Sequence, residues 1–168
     1  MRLSYDFFTA DAPELAPMLL GKLLCRKTGD GVIRLPITET ECYFGEDDTA
    51  CHAHKGRTAR TGIMYGRGGM TYIYLCYGMH NLLNVVSGEE GSPQAVLIRG
   101  AGDYNGPGKL TKALSIDRSL NGVDLSVSGR LWLEDGKAPT SYVTTPRIGI
   151  SYAAKEDRER LWRFVAER

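Results

Sequence analysis

Short runs of alternating apolar and polar residues dominate the chain, a pattern that predicts strands rather than long helices. Residues 22–27 and 32–44 form two such runs around the turn sequence TGDG, which predicts a β-hairpin. A second hairpin is predicted for residues 71–88, and the apolar run AVLIRGAG predicts another strand. Further strands are expected at RLWLEDG and PRIGISYA.

Two segments have the pattern of a helix. ADAPELAPMLLGKLL predicts one with Asp11 as its N-cap and Gly21 at its end, and GPGKLTKALSI predicts another after a glycine-rich segment. The C-terminal KEDRERLWRFVAER has helical propensity, although Trp162, Phe164 and Val165 also fit a strand. The total is six or seven short strands with two or three helices.

These elements predict a mixed α/β or α+β fold. We expect a single compact domain, residues 1–168, in which a curved, largely antiparallel sheet is flanked by a few helices. No repeat, low-complexity tract or long linker divides the chain.

The composition is that of an ordinary globular protein, with 42% hydrophobic and 24% charged residues. No apolar run approaches the roughly 18 residues that a membrane span needs. The N-terminal sequence has early acidic residues and no continuous apolar stretch, so we expect a cytoplasmic protein without a membrane partner.

The four cysteines are widely spaced and form no CxxC pair. The sequence Cys51-His52-Ala53-His54 is the nearest approach to a metal motif, but it lacks a second paired cluster. We therefore expect reduced thiols and no metal or other cofactor.

Charge is distributed unevenly although the net charge is only +1. Residues 37–48 contain five acids and no base, whereas residues 52–70 contain Lys55, Arg57, Arg60 and Arg67 and no acid. Such a basic loop is either solvated or in contact with phosphate groups.

The acidic run begins within a predicted strand. Strict alternation puts Ile37, Glu39, Glu41 and Tyr43 on one face. That face either points to solvent or presents a glutamate as a general base beside an aromatic wall. Arg99, at the end of an apolar strand, is a candidate ion-pair partner for Glu41.

Tyrosines form a second concentration of candidate chemistry. Tyr72 and Tyr74 share a strand face, and Tyr77 precedes Gly78 at a predicted turn. They fit either ordinary core packing or a platform on which bases stack. GDYNGPGKLT fails as a phosphate loop, because Asp103 and Leu110 stand where glycine and Ser or Thr are required.

The chain resembles the alkyladenine (3-methyladenine) DNA glycosylases of the mammalian alkylpurine type. The resemblance is carried by residues 39–86 (ETECYFGEDDTACHAHKGRTARTGIMYGRGGMTYIYLCYGMHNLLNVV), then by AVLIRGA, GPGKLTKAL and PRIGI. It is collinear over essentially the whole chain. The N-terminal helix matches as well, and the C-terminal segment matches loosely.

The resemblance implies roles for particular residues. Glu41 matches the glutamate that deprotonates the attacking water, and Arg99 resembles the arginine that helps to hold it. The implied base pocket contains Tyr43, His52, Tyr74 and Asn84. Tyr77 is implied to insert into the duplex, with Met64 near this wedge; the implied backbone contacts are Arg57, Arg60 and Lys109.

The activity implied by the resemblance is monofunctional excision of damaged purines from double-stranded DNA. The resemblance also implies a monomer, located at the nucleoid if the protein is bacterial.

Three other functions could also use residues of this chain. The first is a non-catalytic module that binds nucleic acid. The second is a glycosylase-lyase that uses Lys109 or Lys55 as a nucleophile. The third is a metal-dependent hydrolase that uses His52, His54 and Glu41.

Overall fold

Nine strands and three short α-helices make up the computed structural model, which describes residues 1–168. The strands are β1 (Leu23–Thr28), β2 (Gly31–Phe44), β3 (Thr71–Cys76), β4 (His80–Val86), β5 (Gln94–Ala101), β6 (Tyr104–Asn105), β7 (Leu131–Glu134), β8 (Tyr142–Thr145) and β9 (Arg163–Ala166). The α-helices are α1 (Ala12–Met18), α2 (Pro107–Ala113) and α3 (Lys155–Glu159). Four 3₁₀ turns lie at Tyr5–Thr9, His52–Lys55, Thr61–Tyr65 and Arg118–Leu120.

All strand pairs are antiparallel, and the main order is β3-β4-β5-β2-β1-β7. The 14-residue β2 organises the sheet because its first half pairs with β1 and its second half with β5. Residues 39–41 of β2 also pair with β9, so they have a strand on each side. The prediction of a curved, largely antiparallel sheet with a few helices is confirmed.

Two compensating irregularities interrupt the pairing of β2 with β5. Ile37 lies opposite Ala101, Glu39 opposite Gly100, and Thr40 opposite Ile98. Strict alternation is therefore wrong for Ile37, which packs in the main core rather than on the face of Glu41. An extra residue in a strand reverses the side-chain phase beyond it.

The main core lies between the sheet and the helices α1 and α2. Leu15 and Ala16 of α1 and Leu110 of α2 are fully buried against strand residues such as Ile98. The predicted N-cap Asp11 is in place, but its carboxylate accepts a hydrogen bond from Gln94 instead of capping the helix. The helix ends at Met18, three residues before Gly21, whose φ is +84°.

The prediction of a strand at PRIGISYA is wrong: residues 146–153 form a loop, and β8 lies just before it. The guanidinium group of Arg147 turns inward to a buried carboxylate, and Gly149 has a φ of +74°. Neither feature suits a regular strand. The C-terminal segment contains both predicted alternatives, α3 followed by β9.

No helix has the length and apolar character needed to cross a membrane. All four cysteines are free thiols.

Candidate active site

A cavity of about 650 Å³ opens on one side of the sheet, beside β3, β4 and β5. Most members of three groups of residues line it, whereas Glu41, Arg147, Arg57 and Arg60 lie outside the lining itself. The carboxylate wall consists of Glu41, Tyr43, Arg99, Arg147 and Ile148. The aromatic wall consists of His52, Tyr72 and Tyr74, and the rim of Arg57, Arg60, Tyr77 and Lys109.

Glu41 is completely buried on the two-sided part of β2. Its Oε1 accepts hydrogen bonds from the Tyr43 hydroxyl at 2.9 Å and from Nη1 of Arg99 at 3.4 Å. Its Oε2 accepts one from the backbone N–H of Ile148 at 2.6 Å. A carboxylate offers about four acceptor positions, so Oε2 keeps one for a further donor such as water.

Burial raises the pKa of Glu41 above its ordinary value. The Arg99 charge, the Ile148 N–H and the Tyr43 hydroxyl oppose this effect but do not overcome it. The group therefore has the raised affinity for a proton that suits a general base. The alternative in which this strand face points to solvent is therefore wrong for Glu41, whose side chain is buried.

Arg99 lies next to Glu41, as the sequence suggested, but Glu39 is its closer partner. Nε of Arg99 is 2.8 Å from Glu39 Oε1, whereas Nη1 is 3.4 Å from Glu41. The arginine thus lies between two carboxylates.

Arg147 and its neighbour Ile148 are the members of the carboxylate wall that sequence reasoning missed. The Arg147 guanidinium donates to Asp48 at 2.7 and 3.0 Å and to the carbonyl of Cys42 at 2.8 Å. It also lies 4.9 Å from the ring centre of Tyr43. These contacts fix the 146–153 loop so that the Ile148 N–H meets Glu41.

The aromatic wall is a connected cluster. The ring centres of His52 and Tyr74 are 4.5 Å apart, and those of Tyr72 and Tyr74 are 5.5 Å apart. Nδ1 of His52 is 2.8 Å from the Tyr72 hydroxyl. Tyr72 is a further site residue, signalled only by its shared face with Tyr74.

Histidine protonation is disfavoured here. Burial, with the nearby charges of Arg60 and Lys55, lowers the pKa of His52 to about 4. Burial also raises the pKa of Tyr74. The aromatic wall is therefore uncharged at neutral pH.

Asn84 lines the floor of the cavity from β4 and is almost completely buried. Its side-chain amide donates to the backbone carbonyl of Tyr72 at 3.1 Å. This hydrogen bond fixes the amide against the aromatic wall.

The rim is exposed. Tyr77 is 87% exposed at the tip of the β3–β4 hairpin and has a φ of +51°. A tyrosine rarely adopts this left-handed conformation, which is a source of strain that collects at functional sites. Arg57, Arg60 and Lys109 are also exposed, and Arg60 lies 5.2 Å from the ring centre of Tyr74.

Met64, predicted to lie near the wedge, lines the same cavity as Tyr77 but is not exposed at the rim. It is only 2% exposed and packs in a small core with Cys51, Tyr72 and Val86. A side chain so buried cannot enter a DNA duplex without leaving its core. The exposed apolar neighbour of Tyr77 is Met79, which is 68% exposed.

The histidines do not form a metal centre with Glu41. His52 is bonded to Tyr72, and Nδ1 of His54 is 2.6 Å from the carbonyl of Glu46. No three His, Cys, Asp or Glu side chains lie close enough together to hold a metal ion.

Comparison of this chain with known proteins points to one family. The family model for methylpurine-DNA glycosylase (MPG) matches residues 6–103 and 103–168. A protein of Methanocella arvoryzae is 46% identical over 183 aligned residues, which cover 96% of this chain and 90% of that protein. A Borreliella afzelii protein is 44% identical, covering 96% and 94%, and one from Psychrobacter cryohalolentis is 43% identical, covering 95% and 89%. All three carry the name "Putative 3-methyladenine DNA glycosylase".

Proposed function

We propose that this chain excises damaged purines by direct attack of water. The chain belongs to the methylpurine-DNA glycosylase family and is therefore a DNA glycosylase that hydrolyses N-glycosyl bonds. The substrates we expect are 3-methyladenine, 7-methylguanine, hypoxanthine and 1,N6-ethenoadenine. The observation that carries the proposal is a buried carboxylate, Glu41, directly behind an aromatic-walled cavity.

Access to the glycosidic bond requires the nucleotide to leave the stack, which costs a few kcal/mol. Tyr77 would fill the vacated space, and its exposure at a hairpin tip supports this role. The extruded base would then contact Tyr43 and the aromatic wall, in which His52 and Tyr74 already touch each other. The cavity volume of about 650 Å³ lies within the roughly 300–1,000 Å³ usual for ligand pockets.

Purines alkylated at N3 or N7 carry a positive charge that tyrosine faces attract, by about 0.5–2 kcal/mol. A neutral His52 does not repel such a base. Asn84, whose side chain is fixed by its hydrogen bond to the Tyr72 carbonyl, would discriminate against the 2-amino group of guanine by occupying the space that this group needs. Damaged bases also unpair more easily, which adds selectivity.

In the chemical step, water attacks C1′ of the sugar as the bond to the purine nitrogen breaks. Glu41 takes the proton of the water, and the bond electrons leave with the base. A cationic purine thereby departs as a neutral molecule, whereas a neutral purine such as hypoxanthine departs as an anion that takes up a proton from solvent. The Glu41 anion also stabilises the positive charge that develops on the sugar, as in other glycoside hydrolysis. Arg99 would help to hold the water.

We further propose that residues 1–168 act as one domain and as a monomer in the cytoplasm, at the nucleoid if the protein is bacterial. Its partner is double-stranded DNA that contains a damaged purine. Arg57, Arg60 and Lys109 would contact the phosphate groups at the rim. These exposed cations compensate for a net charge of only +1.

The experiment is base release from duplexes that each contain one of the four lesions, with the wild type and with Glu41→Gln. We expect abasic product from the wild type and a loss of at least about 100-fold in the variant, the usual effect of removing a general base. Equal rates from both proteins would remove Glu41 from the mechanism. No release of any lesion by the wild type would contradict the proposed function.

Two controls separate the other mechanisms. Incubation with EDTA should leave the rate unchanged, whereas a metal-dependent hydrolase would lose activity. Borohydride should trap no covalent protein–DNA adduct, whereas a lyase that uses Lys55 or Lys109 would be trapped.

A further inference from the structure

A second carboxylate, Glu39, lies next to the catalytic pair and has no role in the proposed mechanism. Its Oε1 accepts hydrogen bonds from Nε of Arg99 at 2.8 Å and from Nε of Arg163 at 2.7 Å. The side chains of Glu39 and Arg99 are each 13% exposed. Arg163 is in turn held by Thr145, whose hydroxyl accepts from its Nη1 at 3.0 Å.

The strand irregularity described above creates this arrangement. Glu39 lies opposite Gly100 and Thr40 opposite Ile98, so Arg99 is an extra residue of β5 with no partner on β2. Such bulges redirect a side chain and occur next to active sites. Here the redirected side chain is the arginine between Glu39 and Glu41.

Arginine normally pairs with a carboxylate through two parallel hydrogen bonds. Arg99 does not do so with Glu41: its Nε is bonded to Glu39, and only its Nη1 reaches Glu41, at 3.4 Å. A closer, two-bond pair would occupy acceptor positions of Glu41 that water needs. It would also stabilise the anion of Glu41 and weaken it as a base.

We propose that Glu39 is a positioning residue that holds Arg99 away from Glu41 and so leaves the Glu41 carboxylate free to take a proton from water. This inference rests on the proposed function. Arg163 is part of the device, since it supplies the second cation for Glu39.

The charge balance around Glu41 involves every element that packs against it. The groups that face it are Glu39 and Tyr43 on β2, Arg99 on β5, Arg163 on β9, Tyr74 on β3, and Arg147, the Ile148 N–H and Tyr152 in the 146–153 loop. Of these, Glu39 is the only other carboxylate, and the carboxylate of Asp48 is bonded to Arg147. Removal of its negative charge therefore makes the electrostatic potential at Glu41 more positive, which favours the Glu41 anion.

The test is the single-turnover rate of base release by Glu39→Gln, measured against pH, together with lesion affinity and the melting temperature. Arg99 would then move to Glu41, and the acidic limb of the profile should shift to lower pH by about one unit or more. The plateau rate should fall by up to about 100-fold, the effect of a displaced catalytic group. Lesion affinity should not change.

Three matched variants separate position from charge and from general damage. Arg163→Gln removes a cation near Glu41 and leaves Glu39 to Arg99 alone, so the acidic limb should move to higher pH. Glu39→Asp keeps the charge but is too short to reach both arginines, so the plateau rate should fall. Glu134→Gln breaks a remote pair with Arg34 and should change neither quantity.

A wild-type profile for both Glu39→Gln and Arg163→Gln would overturn the inference, as would a slower Glu39→Gln whose acidic limb has not moved. Glu39→Asp with wild-type kinetics would show that charge alone matters and would overturn the positioning role. Failure of the proposed function is distinct: there the wild type itself releases no base, or releases it as fast as Glu41→Gln.

Discussion

The carboxylate wall and the rim differ in burial and are built in opposite ways. In the wall, Glu41, Arg99 and Arg147 are buried or nearly so, and their charges are bonded to one another or to fixed neighbours. At the rim, Tyr77 and the cations are exposed, with few contacts beyond Arg60 against Tyr74 and Arg57 against Tyr65. The charges of the wall are therefore in place before DNA binds, whereas the exposed groups of the rim remain available to contact DNA.

This difference follows from the two tasks. Chemistry benefits from charges whose positions cost no reorganisation when the reaction occurs. Binding to DNA benefits from cations and an aromatic group that remain accessible to phosphates and bases. Substitutions in the wall should therefore change stability and the chemical step, and substitutions at the rim should change affinity.

The largest expected effect is on stability, from Arg147→Met in the wall. The substitution leaves the carboxylate of Asp48 buried without its cation, which should cost about 3–5 kcal/mol of the free energy of unfolding. The Ile148 N–H should also lose its place against Glu41, so excision should slow. Denaturant unfolding and single-turnover kinetics measure the two effects.

Arg34→Met is the matched control for Arg147→Met. Arg34 forms an ion pair with Glu134 near the surface, with a side chain that is 47% exposed. Exposed pairs contribute at most about 1 kcal/mol. Equal destabilisation by the two substitutions would contradict the structural role assigned to Arg147.

The next largest effect is expected at the rim, from Tyr77→Ala. Lesion affinity should weaken by about 1–3 kcal/mol, the contribution of one stacked aromatic side chain. Stability should not fall, because the side chain is 87% exposed and its backbone is in a strained conformation. Titration of a lesion duplex and thermal unfolding measure the two quantities.

Tyr142→Ala serves as the comparison for Tyr77→Ala, since Tyr142 is an exposed tyrosine that does not line the cavity. It should leave lesion affinity unchanged. Unchanged affinity and turnover in Tyr77→Ala would remove the wedge role.

Local patterns in the sequence predicted what lies on one strand. Alternation placed Glu41 with Tyr43 and Tyr72 with Tyr74. The apolar run before Arg99 indicated a carboxylate partner, and Glu41, the candidate, is the more distant of the two that it has. The same patterns failed where distant segments decide the outcome. The PRIGISYA run alternates like a strand, but Arg147 is drawn to Asp48, 99 positions earlier.

Two further differences between expectation and structure have the same origin. Met64 sits in an exposed-looking basic loop, yet it packs in a core with Cys51 and Ala53 of the preceding segment and with residues of β3, β4 and β5. Ile37 follows an alternation that one extra residue reverses. The extra residues in β2 and β5 depend on how the two strands pair, which no single run of residues reveals.

The smallest expected effect is on folding stability, which the burial of Glu41 in the carboxylate wall lowers. A carboxylate whose pKa is raised in the folded state binds its proton more tightly there than in the unfolded chain. Folding stability is therefore lost as pH rises from the ordinary value of 4.5 through the raised pKa of Glu41. Above that window, the ionised Glu41 destabilises the protein in return for its function.

Glu41→Gln should remove this cost and raise the free energy of unfolding at pH 7 by about 0.5–2 kcal/mol, a common gain when a functional site is neutralised. The Gln oxygen can accept from Ile148, and its amide can donate to the Tyr43 hydroxyl, which accepts as well as donates. Arg99 keeps its bond to Glu39.

The control is Glu46→Gln, at an exposed carboxylate, whose free energy of unfolding should stay within about 0.5 kcal/mol of the wild type. The gain should shrink as pH falls below the raised pKa, because the wild-type group then becomes neutral too. A Glu41→Gln protein less stable than the wild type at pH 7, or a gain independent of pH, would mean that the hydrogen bonds to Glu41 outweigh its burial.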